Sequence, residues 1–309
     1  NIIIIRINKD IVSIKKVFIY IMYDNIVLYL TFLLIVILII IFCCNKVESY
    51  QNTNKYKIII AGCARDAAKY LPKVFKVIDN ICKLCKDYYI IIYENDSKDD
   101  TLSVLNKYKN KYKNFHIITE KGIHDKYPQR THRIAHGRNK ILDFIDDNKL
   151  YEHYDYYLCM DMDNVNVNFK TKGLKKLLES NLDWDVASAN NHRKKYYDYW
   201  ALRTDKYNKN CHLPNEICTK DQANLHYFFN NSHNKRPIPY NRQPLKVLSA
   251  FGGLGIYKID MIKGCRYNGY SEQHNRWNTN EDCEHVQFHE CIRNKNKGDK
   301  QYIIPYMSD

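Results

Sequence analysis

Four short apolar runs, separated by stretches of helical period, decide most of what this chain can fold into. Lys57 to Gly62, Tyr88 to Glu94, Phe115 to Thr119 and Tyr156 to Met160 read as buried strands. Between the first two, Leu71, Val74, Ile78 and Ile81 recur at helical spacing, with Pro72 tolerable in a first turn. Val104, Leu105, Tyr108 and Tyr112 mark a second helix that Asp99 can cap. Ile134, Ile141, Leu142 and Ile145 mark a third, which carries Arg138. Such alternation predicts an α/β fold with a parallel sheet covered on both faces. The loops after the strands then share one edge, where open α/β sheets bind ligands. That edge collects Arg65 and Asp66, Glu94 and Asp96, and Asp161 and Asp163.

The last of these pairs carries the chemistry. A buried strand that stops at Asp161-Met-Asp163 delivers two hard oxygen ligands to the sheet edge. Such ligands suit Mg²⁺ or Mn²⁺, and substrate phosphates usually complete the shell. The same pair also fits a simple cap for whatever helix follows. Glu94-Asn-Asp96-Ser reads equally as an acidic turn or as a grip on ribose hydroxyls. Arg65-Asp66 is either a salt-bridged turn or a phosphate and nucleoside contact. Arg138 is either a surface arginine or a contact to a diphosphate or donor sugar.

Beyond Lys170 the pattern loosens. A helix at Leu174 to Leu178 and a strand near Asp185 to Ala189 precede a long polar section, Arg193 to Arg242. Phe251-Gly252-Gly253-Leu-Gly255 lacks the spacing of a dinucleotide loop, and no Gly-Lys-Ser/Thr phosphate loop occurs. Its glycines fit a close backbone approach to a ligand, or a plain tight turn. Asn280 to His289 places Glu281, Asp282 and Glu284 beside His285 and His289. If the whole segment is helical, Glu281, His285 and His289 share one face. A solvated helix start with acids in its first turn is the plainer reading. No Glu stands between the two histidines where a zinc protease helix needs one.

Residues 26–44 hold no charge and are nearly all aliphatic or aromatic, a length close to a bilayer's hydrocarbon core. We expect a single anchor there, a tail over residues 1–25 and a linker over 45–56. A start at Asn1 rather than Met also fits a truncated or mis-assigned beginning. Arg6, Lys9, Lys15 and Lys16 precede the anchor, so the positive-inside bias predicts a type II orientation. The remainder is then expected across the membrane, in a lumenal compartment. The net charge of +14 comes from scattered lysines in an Ile-, Asn- and Tyr-rich chain. It forms no basic block with interleaved aromatics, so no nucleic-acid partner is expected. Among the 11 cysteines, Cys82-x-x-Cys85 has no second pair at metal spacing. A non-cytosolic domain can form disulfides, whose pairing sequence does not give. Asn95-Asp-Ser97 and Asn230-Asn-Ser232 are glycosylation acceptors in such a compartment, and a glycan on Asn95 would obstruct the expected nucleotide pocket.

In order and spacing, the segments 58–66, 93–101, 133–142, 158–164, 251–258 and 280–289 resemble the GT-A glycosyltransferases, the nucleotide-diphosphosugar transferase superfamily. The likeness is to the fungal capsule-associated α-1,3-mannosyltransferase group and related viral and microbial enzymes, many of them type II membrane proteins. It implies one GT-A domain over residues 57–309, with a nucleotide-sugar half (57–170) and an acceptor half (171–309). It implies a divalent metal, Mn²⁺ or Mg²⁺, with Asp163 as main ligand and Asp161 as ribose or metal partner. Arg65, Asp66, Glu94 and Asp96 would shape the nucleoside pocket, and Gly252-Gly253 would face a glycan acceptor. In an inverting enzyme Glu281 or Asp282, with Glu284 behind, would take the acceptor proton; in retaining relatives a late histidine completes the metal shell, which here would be His289, then His285. The expected function is transfer of a hexose, mannose included, from a nucleotide donor to a glycan hydroxyl. The alternative is a sugar-nucleotide or glycan-binding module on the same fold without turnover.

Overall fold

The computed structural model describes residues 25–26, 28–41, 55–190, 196, 198–205, 208–213, 238–296 and 300–308. The chain forms two compact units, residues 1–53 and 54–309. In the first, residues 28–41 are helical and their apolar side chains, Leu28, Phe32 and Leu38 among them, are exposed. No described helix is long and apolar enough to cross a membrane. Residues 27 and 42–44 of the expected anchor, and residues 1–24 of its tail, lie outside the described residues.

The second unit opens with the expected alternation. Strand β1 (Tyr56–Ala64), helix α1 (Leu71–Cys82), β2 (Cys85–Asn95), α2 (Thr101–Lys109) and β3 (Phe115–Glu120) follow in turn. A short α3 (Ile123–Lys126), the long α4 (Arg130–Asp147) and β4 (Tyr156–Met160) complete this half. Then come α5 (Thr171–Leu178), β5 (Val186–Ala189), β6 (Leu245–Lys246), β7 (Leu254–Lys258), α6 (Ile259–Ile262), α7 (Glu284–Asn296) and β8 (Gln301–Ile304). One sheet runs β3-β2-β1-β4-β7-β5-β8-β6.

The two-residue period of the strands sorts side chains into two cores. Ile58, Ile60, Ile90, Ile92 and Leu158 face one layer with Val74, Phe75 and Ile78 of α1 and Leu174 and Leu177 of α5. Their alternate neighbours Ile59, Ala61, Ile91 and Tyr157 face the other, with Ile141 and Leu142 of α4 and Phe288 and Ile292 of α7. Both faces are therefore covered, as a parallel α/β sheet requires.

The sheet is mixed, with its parallel part at the start, as a mostly parallel α/β fold leads one to expect. Strands β1 to β4 are parallel, but β7 runs antiparallel between β4 and β5. The chain leaves β5 at the ligand edge and re-enters the sheet from that same edge, so β7 must run back. Its glycine turn is thereby set beside the end of β4. One correction concerns the late cluster. Helix α7 begins at Glu284, while Glu281 bridges to Tyr270 in extended structure, so Glu281 does not share the face of His285 and His289. Cys82 closes α1 and Cys85 opens β2, so that pair straddles a turn.

One disulfide occurs among the described residues, Cys265–Cys291, joining the segment after α6 to α7. Asn95 is buried, and its amide donates to Asp96 at 3.0 Å. Asn230 lies outside the described residues.

Candidate active site

A cavity of about 330 Å³ opens at the carboxyl ends of β1, β2 and β4. The end of β1 contributes Cys63 to Ala67, and β2 contributes Tyr93 and Asn95. Helix α4 lends Arg130, Arg133 and Arg138, and the turn after β4 lends Asp161 to Asp163. Arginines and carboxylates thus face each other across one small space.

Asp161 is held by its backbone, donating N–H to the Gly253 carbonyl at 2.8 Å. Its side chain lies 3.3 Å from Arg138 Nη2. Burial pushes its carboxyl up to about 7, against Arg138, which lowers it, and with Asp163 and Asp198, which raise it. Asp163 is exposed and accepts the Val165 N–H at 3.0 Å, so it stabilises a local turn and no helix. A half-buried and an exposed carboxylate one residue apart fit a divalent cation that takes its other oxygens from a phosphate and water. Among the described residues no group of three His, Cys, Asp or Glu side chains could hold a metal by itself. The donor set therefore suits a cation that arrives with an anionic ligand.

Gly252 and Gly253 take left-handed φ values of 66° and 82°. A Cβ at Gly252 would run into the Ala189 carbonyl, so only glycine makes this turn without strain. The Gly252 N–H donates to Asp198 Oδ2 at 2.9 Å, while Gly253 receives Asp161. The turn therefore sets Asp198 and Asp161 side by side. Burial pushes the Asp198 carboxyl up to about 6, opposed by the Gly252 N–H and aided by Glu284.

Other acids expected at the site are engaged by the fold itself. Glu94 is buried and accepts the Ser97 N–H at 3.0 Å and the Thr119 hydroxyl at 2.8 Å. Asp96 accepts from Gly122 N (2.7 Å), His124 N (2.9 Å) and Asn95. These bonds, the Asn95 amide first, hold its carboxyl down at about 2. Neither lines the cavity, whereas Asn95 between them does. Asp66 lines it and accepts the Lys98 N–H at 2.7 Å, bracing the first loop on the second. Arg65 lies beside it, 3.7 Å from Asp66 Oδ2.

Glu281 caps the start of α4: Oε1 accepts the Thr131 N–H at 2.9 Å and Oε2 the Thr279 hydroxyl at 2.7 Å. Burial raises its carboxyl, but these donors outweigh it and the net shift is downward. Asp282 binds Arg203 Nη2 through both oxygens, at 2.7 and 3.0 Å. Glu284, buried, reaches Arg138 Nη2 at 3.3 Å. Of the three, it alone pairs with a cavity-lining residue among the described contacts.

His289 is fully enclosed, with Nδ1 3.1 Å from the Ser249 hydroxyl and Nε2 3.0 Å from the Tyr257 hydroxyl. Burial drives its imidazole down to about 3. His285 stacks on Phe251 with ring centres 3.8 Å apart, and burial, then Arg138, lowers it well below the usual imidazole range. Neither ring lines the cavity.

The structure thus gathers Arg65, Asp66, Arg138, Asp161 and Asp163 in one space, sets Gly252-Gly253 at its border, and joins Glu284 through Arg138. Sequence reasoning missed Asn95, Arg130, Arg133 and Asp198. The two arginines sit one turn apart at the head of a recognised helix, a legible signal for an anion site. Asp198 lies in a polar stretch without a motif, and nothing local marks it.

The site thus consists of acids at the end of β4 and a glycine turn bonded to them, on a mixed sheet. The chain belongs to the family described as Cryptococcal mannosyltransferase 1, whose profile matches residues 57–290. No curated protein matches it. Among solved structures it is similar to S. aureus TarS 1-349, at 12% identity and TM-score 0.36, over 69% of this chain and 50% of that one. It is similar to the mannosyltransferase PcManGT from Pyrobaculum calidifontis in complex with GDP-Man and Mn²⁺, at 11% identity and TM-score 0.39, over 83% and 57%. A third is glucosyl-3-phosphoglycerate synthase from Mycobacterium tuberculosis with Mn²⁺, UDP and glucosyl-3-phosphoglycerate, at 10% identity and TM-score 0.33, over 68% and 59%. The chain spans about half the length of the solved structures it matches.

Proposed function

We propose that this protein transfers a hexose, mannose by its family, from a nucleotide-diphosphate sugar to a glycan hydroxyl, with a divalent metal at Asp161 and Asp163. The observation that carries this reading is the pairing of those carboxylates with Arg65, Arg130 and Arg133 around one cavity. A cavity that offers a cation site and fixed positive charge is complementary to a pyrophosphate. The metal, Mn²⁺ or Mg²⁺, would be held by Asp163 and Asp161 and would offset charge developing on the leaving diphosphate. Asn95, Tyr93 and Asp66 also line the cavity and would seat the nucleoside. His285 and His289 are left out of the metal shell, because both rings are packed into the core.

Asp198 is the residue we assign to the acceptor hydroxyl. It is half-buried, fixed by the Gly252 N–H, and its carboxyl is raised towards neutrality, where a general base works best. Glu281 and Asp282 are left to structural bonds. The apolar stretch 26–44 would anchor the enzyme as a type II membrane protein with this domain in the lumen.

The second reading, binding without turnover, draws on the engagement of Glu281, Asp282, Glu94 and Asp96 by the fold. Screening UDP- and GDP-sugars with Mn²⁺ for hydrolysis and transfer separates the two. We expect turnover that Asp163→Ala lowers by about 100-fold or more. Full activity in that variant would overturn the metal assignment. Nucleotide-sugar binding by calorimetry with no turnover from any donor would establish the second reading.

A further inference from the structure

Arg138 stands apart from the other arginines of the cavity. Its side chain is 5% exposed, and its charge is met by protein groups on several sides. Nη2 lies 3.3 Å from Asp161 Oδ1 and 3.3 Å from Glu284 Oε1, and Nη1 donates to Cys159 Sγ at 2.8 Å. The guanidinium carbon sits 4.7 Å from the centre of the Phe251 ring and 5.5 Å from that of Tyr267. One side chain of α4 therefore touches the end of β4, the turn that carries Asp161, the residue before the glycine turn, and the first residue of α7.

We propose that Arg138 is a positioning residue that fixes Asp161 of the donor edge and Glu284 of the acceptor side in one charge array. The inference rests on the transfer reading given above, and it reassigns Arg138 from a diphosphate contact to a part of the scaffold. A buried Glu284 and a half-buried Asp161, each 3.3 Å from the same nitrogen, would repel each other without it. A planar guanidinium can meet both at once while its faces stack on aromatic rings. A lysine ammonium is a single point of charge and cannot hold that geometry. The array also explains why residues so distant in sequence converge on one cleft: it closes only when both halves of the sheet are in place.

The test is a double-mutant cycle read by thermal unfolding without any ligand, followed by kinetics. Arg138→Gln takes this cation from a buried Glu284 and a half-buried Asp161 and is expected to lower Tm by about 10 °C. Glu284→Gln added to it should recover a substantial part of that loss, because it removes one of the unpaired charges. A side chain that merely fills space would give additive losses, and additivity overturns the array. Arg138→Lys, which keeps the charge, should stay within a few degrees of the wild type. With whichever UDP- or GDP-sugar the wild type turns over, its kcat should fall about tenfold or more while the donor KM changes less than about threefold. Wild-type kcat in Arg138→Lys also overturns the proposal. If the wild type itself shows no turnover, the transfer reading fails, and the unfolding cycle still decides the array.

Discussion

His289 shows how strongly a single side chain is governed by its surroundings. Its spacing from His285 suits a metal site, yet both ring nitrogens are taken by hydroxyls in the core. Burial holds its folded pKa near 3, below the ordinary value of 6.5. Its contribution to stability is therefore complete above pH 6.5 and is lost as the pH falls towards 3. Urea unfolding at pH 7 and pH 4 should show about 3 kcal/mol lost through this residue. Asp161 and Asp198, raised by burial, act in the opposite direction over the same range, so the comparison is with His289→Gln, which should gain about 3 kcal/mol less stability than the wild type between pH 4 and pH 7. An unchanged difference between pH 4 and pH 7 would mean that the imidazole is solvated. Asp198 makes the complementary case. Its Asp198→Asn variant should keep nucleotide-sugar binding and lose transfer by about 100-fold, measured as kcat against KM. Retained transfer would return the proton to another acid.

At the scale of elements, α7 matters most, because its first turn supplies Glu284 and its inner face packs Phe288 and Ile292 on the sheet. It is tied down at Cys291 by a disulfide to Cys265, 26 residues earlier. Closing a loop of that length removes entropy from the unfolded chain, so Cys265→Ser with Cys291→Ser should cost about 2–4 kcal/mol. Urea unfolding of the double variant in oxidising buffer checks this. Unchanged stability would show that the bond does not form in solution, whereas the expected loss would fit maturation in an oxidising compartment. Helix α4 plays the matching part opposite. Its start is capped by Glu281, reached from 150 residues away, so a residue that looks catalytic in sequence is spent on holding a helix end in place.

For the whole molecule, one sheet runs through residues 56–304, with β7 of the second half lying between β4 and β5. The two halves therefore share one sheet, joined where β4 pairs with β7, and both cores. Calorimetry should give a single unfolding transition for the unit spanning 54–309, with calorimetric and van't Hoff enthalpies equal. Two resolved transitions would show separable domains. The sequence by itself determined the strand-helix alternation, the two buried faces and the placement of Arg65, Asp66 and the Asp161–Asp163 pair at one edge. Those features follow from periods of 2 and 3.6 and from where an apolar run stops, which are local properties. Only the tertiary structure decided that β7 runs backwards, that Glu94, Asp96, Glu281 and Asp282 are consumed by hydrogen bonds and ion pairs of the fold, that Asp198 is fixed on the glycine turn and that Arg138 lines the cleft. Whether a carboxylate is free or engaged depends on donors that arrive from distant segments. No window of sequence contains them.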